Sequence, residues 1–140
     1  MSVLLVEKTD IPDPMKWFCD TMGFQGEWEK DPHLKGYQFA DHGDIFYYCD
    51  NGDYYRFEDF SNYNFVYWET KTWLDLAQNR EIIYGHFSDD ELSAEFIHIK
   101  DGKCIREFRE YFDDADSNVD LGTLPEFASW VDVASYVEQM

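Results

Sequence analysis

The sequence predicts an α+β fold: one domain over residues 1–140, built on a curved antiparallel sheet of about five to seven strands packed by two or three helices, one of them C-terminal. Three observations carry this expectation. Two β-rich runs flank Asp101-Gly102, a pair suited to a two-residue hairpin turn in which both central positions need positive φ. A second pair of β-rich runs flanks Asn51-Gly52 in the same way. Near the C-terminus, Trp130, Val133, Ala134 and Val137 recur at helical spacing behind Ser129, an N-cap residue that forms a capping-box pattern with Asp132.

Each element has its own signal. Residues 3–7 read as a short first strand or a mobile terminus. Pro12-Asp13-Pro14 opens a helix over 15–22 that Gly23 ends, with Trp17, Phe18 and Met22 as its buried stripe. Residues 24–28 and 37–39 read as strands, with a loop over 31–36 between them. In the second hairpin, 45–49 against 53–57, a turn at Asn51-Gly52 sets Cys49 opposite Tyr54, Tyr48 opposite Tyr55 and Phe46 opposite Phe57, an aromatic ladder assigned to the core. Residues 65–68 read as a strand. Residues 72–78 read as a short helix with Trp73, Leu76 and Ala77 inward and Asn79 as a left-handed cap. The meander 82–86, 92–100 and 103–112 is the expected centre of the sheet. Its ideal register puts Ile97, Ile99, Cys104 and Phe108 on one face, and His98, Glu107 and Arg109 with Phe96, Ile105 and Tyr111 on the other.

Composition bounds the function. A chain of 140 residues can bury a useful core, and an aromatic fraction of 19% argues for a folded protein despite its charge. Thirty acidic residues against eleven basic ones give a net charge of −19. Such a field repels nucleic acid and anionic membrane and draws in basic partners, although solubility alone also selects for acidity. Cys19, Cys49 and Cys104 form no CxxC or metal-ligand spacing; Cys49 and Cys104, inside strand-like runs, read as small buried hydrophobes, and a reducing cytoplasm fits. The apolar run at residues 3–6 is too short for a signal-peptide core or a membrane span.

Catalytic signals are sparse. Asp114, Asp116, Asn118 and Asp120 alternate as in a calcium loop, but Val119 replaces the turn glycine and Pro125 the bidentate glutamate. His33, His42, His86 and His98 are scattered. A shared face would let His98, Glu107 and Arg109 do acid–base work if they lined a pocket, whereas a cross-strand polar network is the plainer reading. No GxSxG, P-loop or dinucleotide fingerprint occurs. The expectation is a protein that is not an enzyme and uses no cofactor or metal.

The remaining signal is acidic residues interleaved with aromatics. It marks Asp50, Asp53, Tyr54, Glu58 and Asp59 in one hairpin, Asp89, Asp90 and Glu91 in a turn, and Asp113, Asp114, Asp116 and Asp120 in a loop. Aromatics dominate binding hot spots, and carboxylates complement Lys and Arg on a basic protein partner. The turn-forming habit of Asp accounts for part of the same pattern.

In size, acidity, α+β character and the tail IREFREYFDDADSNVDLGTLPEFASWVDVASYVEQ, the chain resembles the small acidic immunity proteins of bacterial polymorphic-toxin and contact-dependent inhibition systems. The resemblance carries no catalytic motif. It implies tight binding of a cognate toxin domain, often a basic nuclease, with acidic groups imitating the phosphates the toxin would otherwise hold. A structural module of a larger assembly, an acidic DNA mimic and a small enzyme built on His98, Glu107 and Arg109 are the alternatives.

Overall fold

Strand β1 (Ser2–Glu7) lies in the middle of the sheet, hydrogen-bonded on both sides, so residues 3–7 are a central strand and not a mobile terminus. The computed structural model describes residues 1–33, 35–41 and 43–140. The predicted features at Leu34 and His42 lie outside them. After β1 come α1 (Pro14–Met22), β2 (Glu29–Lys30), β3 (Gly36–Asp41), β4 (Asp44–Asn51), β5 (Tyr54–Asp59) and α2 (Thr70–Ala77). The meander β6 (Ile82–Ser88), β7 (Ser93–Lys100) and β8 (Lys103–Tyr111) follows, then a 3₁₀ turn over Ala115–Ser117, β9 (Val119–Leu121) and α3 (Trp130–Val137). The strands form one antiparallel sheet in the order β2-β3-β4-β5-β1-β6-β7-β8-β9. Nine strands exceed the predicted five to seven. The surplus includes β2 and β9, two- and three-residue edge strands too short to show an alternation in sequence.

Helices cover both faces. Leu4, Val6, Phe18, Phe46, Phe57, Trp73, Tyr84 and Ile97 join the core beneath α1 and α2, and Val3, Leu5, Phe96, Phe108, Val133 and Val137 join the core beneath α3. Local chemistry explains the helix ends. The Asp13 carboxylate accepts the Lys16 N–H at 3.1 Å, and Gly23 closes α1 at φ 77°. Ser129 caps α3 as expected, but Asp132 reaches back to the Ala128 N–H at 2.7 Å. Gly85 lets α3 lie against β6, because a Cβ there would stand 2.5 Å from Cγ2 of Val137.

Several local expectations fail. Residues 24–28 form no strand, and residues 65–68 are a turn in which Tyr67 has φ 68°. Gln78, not Asn79, takes the positive φ after α2. Leu92 belongs to a turn at φ 51°, so β7 starts one residue later. In the second hairpin Asn51 pairs with Tyr54 and Gly52 takes the first central turn position at φ 63°. That register differs from the predicted one by two residues, an even slip, so Phe46, Tyr48, Tyr55 and Phe57 keep their core face.

The central hairpin departs with more effect. Asp101 and Gly102 make the expected turn at φ 52° and 74°, and Ile99 pairs with Cys104. His98 then opposes Arg106, because Ile105 bulges out of the ladder. A one-residue slip exchanges faces. Phe108 therefore joins the α3 core, Glu107 and Arg109 turn to the α1–α2 side, and His98 stays on the α3 side. The predicted trio does not share a face.

Candidate functional site

Five adjacent strands place Asp59, Ser2, His86, Glu95 and Arg109 directly opposite one another, in a polar row across the α1–α2 face. All five are buried; Glu95 is 0% exposed, and Asp59 and His86 are 1% exposed. Most buried polar groups are hydrogen-bonded, and the segment between β5 and α2 supplies partners to Asp59, Ser2, Glu95 and Arg109. Asp59 accepts the backbone N–H groups of Ser61, Tyr63 and Asn64 at 2.9–3.2 Å. Ser2 donates to Oδ1 of Asn62 at 2.8 Å, and its Oγ lies 2.6 Å from Nδ1 of His86. Nε2 of His86 has no partner, and burial, aided by the nearby terminal amino group, pushes this imidazole down to about 3, which leaves it neutral.

At the far end of the row, Arg109 is held on every side. Its Nη1 donates to Glu95 at 2.8 Å, its Nε to Glu107 at 2.9 Å and its Nη2 to the Trp68 carbonyl at 2.7 Å. Burial alone would lower its affinity for the proton, but Tyr111 and the two carboxylates reverse the sign and raise it. Glu95 also accepts from the hydroxyls of Tyr84, at 3.0 Å, and Tyr111, and from the Tyr67 N–H at 3.2 Å. Glu107 accepts from Thr70 at 2.7 Å. The guanidinium is thus committed to this chain's own carboxylates.

The network positions a ridge on the surface. Tyr67 is 66% exposed, and its ring lies against the Tyr111 ring with centroids 5.3 Å apart. Two clefts flank it. One, of about 350 Å³, runs between Trp68, Glu69 and Thr70 and the Glu107, Asp114 and Val119 side. The other, of about 310 Å³, is bounded by Tyr67, Glu91, Phe112, Asp113 and Asp114 over Ser93 and Tyr111. Phe112 is 71% exposed. Burial first, then the charges of Glu91, Glu95, Asp114 and Asp113, hold the Tyr67 phenol above its ordinary range, so four carboxylates act at that hydroxyl.

The predicted partner-facing residues divide accordingly. The β6–β7 turn with Asp89, Asp90 and Glu91 and the loop with Asp113 and Asp114 stand at the same end of the sheet, and Glu91, Asp113 and Asp114 meet around Tyr67. Asp116 is exposed nearby in the 3₁₀ turn. Asp120 is occupied by Nη1 of Arg106 at 2.6 Å. Asp50 and Asp53 are at the opposite end, where Asp50 pairs with Lys8. Asp59 is interior, whereas Glu58 and Tyr54 are half-buried, Glu58 pairing with Arg56 at 2.9 Å and Tyr54 donating to Glu81. His98 sits 2.9 Å from Glu81 on the α3 side. Burial raises the Glu81 carboxyl, but the Tyr54 and His98 hydrogen bonds outweigh it and leave it below its usual range. Tyr67, Phe112 and the polar row escaped the sequence reading. The sequence puts Phe112 at the end of a strand, and a run with the apolar character of Phe65 to Trp68 gives no sign that its backbone caps a row of charges.

No protein-family model matches the chain, and no curated protein and no solved structure is significantly similar to it. No helix among the described residues is long and apolar enough to cross a membrane.

Proposed function

We propose that this protein is a non-catalytic binder that neutralises a basic protein partner, and that the partner is a toxin domain, often a nuclease, to which it confers immunity in the bacterial cytoplasm. One observation carries the reading: an exposed aromatic ridge, Tyr67 and Phe112, is rimmed by carboxylates on a chain of net charge −19. Exposed aromatics held in place by a buried network supply contact area at little entropic cost, and like charge around them excludes acidic partners while speeding encounter with basic ones.

The test is co-expression with the C-terminal domain encoded by the adjacent upstream gene. Co-purification, loss of toxicity only when this protein is present, and an association rate that falls with added salt are the expected results. A neighbour that neither binds nor kills removes the immunity reading.

A further inference from the structure

Resting on that reading, we infer that the cleft between Tyr67 and Phe112 receives an arginine side chain of the partner. Its chemistry is that of a guanidinium site. Two exposed rings form its walls, and Glu91, Asp113 and Asp114 supply carboxylates from two different loops. Among the described residues the chain's own ion pairs lie elsewhere, so no internal cation neutralises these three. Asp114 is oriented by the Ser117 hydroxyl at 2.6 Å. The Tyr67 wall is fixed before binding: its N–H is held by the buried Glu95 carboxylate and its ring rests on Tyr111.

Arginine suits this geometry better than lysine. A planar guanidinium can lie flat on an aromatic face while its edge donates to carboxylates, whereas an ammonium is a strongly hydrated point charge. The neighbouring 350 Å³ cleft offers no free guanidinium to an anion, because its Arg109 is already taken up by Glu95, Glu107 and the Trp68 carbonyl.

The experiment is an NMR titration of the ¹⁵N-labelled protein with a blocked Gly-Arg-Gly-Arg-Gly peptide, and with its lysine and citrulline counterparts. The arginine peptide is expected to shift the amides of residues 91–93 and 111–114 saturably, the lysine peptide more weakly, and the citrulline peptide not at all. Tyr67→Ala is expected to weaken that binding roughly fivefold to tenfold, in keeping with a lost cation–π contact. The double change Asp113→Asn and Asp114→Asn weakens it further, while Asp50→Asn with Asp53→Asn at the other end of the sheet leaves it unchanged. Shifts that follow Asp50 and Asp53 as strongly as Asp113 and Asp114, lysine binding equal to arginine, or no saturable shift would each overturn the proposal. Those failures leave the immunity reading standing, since it is judged by rescue from the toxin; failed rescue with intact peptide binding removes that reading and keeps the cleft.

Discussion

The Arg109 guanidinium lies 2.8 Å from the carboxylate of Glu95, and that same carboxylate accepts the backbone N–H of Tyr67. An interior ion pair thereby fixes an exposed ring. Removing one partner of a buried pair leaves an uncompensated charge, so Arg109→Met should cost about 3–5 kcal/mol of stability. The companion Glu95→Gln variant, which keeps the acceptor oxygen and loses the charge, should cost less. Urea unfolding followed by tryptophan fluorescence gives both values, and equal stability of Arg109→Met and wild type would refute the structural role assigned to the pair.

Asp59 is a stability residue. Replacing it with Ala strands three part-buried backbone donors of the 61–64 turn and should cost about 1–3 kcal/mol, with Asn milder because its side-chain oxygen still accepts. Affinity for a basic partner, measured on the folded fraction, should not change.

His86 makes stability depend on pH. The unfolded imidazole takes up its proton near 6.5, while the folded one resists until about 3. Between these values the unfolded state binds more protons, so the contribution is full above pH 6.5 and is lost as pH falls, by up to about 1.4 kcal/mol per pH unit. Unfolding at pH 7, 5.5 and 4.5 should show a shallower slope in His86→Gln than in wild type; parallel slopes would mean that another group carries the effect.

Phe112→Ser tests recognition apart from folding. The ring is mostly exposed, so stability should stay within about 0.5 kcal/mol. Affinity for the partner should fall by about tenfold or more if the ridge is a hot spot. A calorimetric titration separates the two outcomes.

Gly85→Ala should loosen α3. The added methyl meets Val137 and Met140, and overpacking of this kind costs about 1–3 kcal/mol. Thermal unfolding should report the loss.

Much of the architecture was legible because it follows from local chemistry. Asp101-Gly102 specifies its turn, Pro14 and Gly23 bracket α1, and the spacing from Trp130 to Val137 gives α3. The sheet-centre position of β1 was not legible, since four apolar residues followed by Glu7 are equally consistent with an edge. The bulge at Ile105 was hidden because nothing in Cys104-Ile105-Arg106 distinguishes a regular ladder from one with an extra residue, yet it decides which face Glu107 and Arg109 occupy. Of the three acidic clusters, Glu91, Asp113 and Asp114 meet around Tyr67, while the turn over 51–53 lies at the other end of the sheet. In the second hairpin Asp59 is interior, and half-buried Tyr54 and Glu58 have partners within the chain, which composition alone does not reveal.

The position of β1 also sets a timetable. Ser2 is synthesised well before both of its neighbours in the sheet, Asp59 on one side and His86 on the other. Until β6 has emerged, β1 can pair only with β5, and Val3 and Leu5 wait without the core they share with α3. Such non-local pairing slows folding and prolongs exposure of unpaired edges.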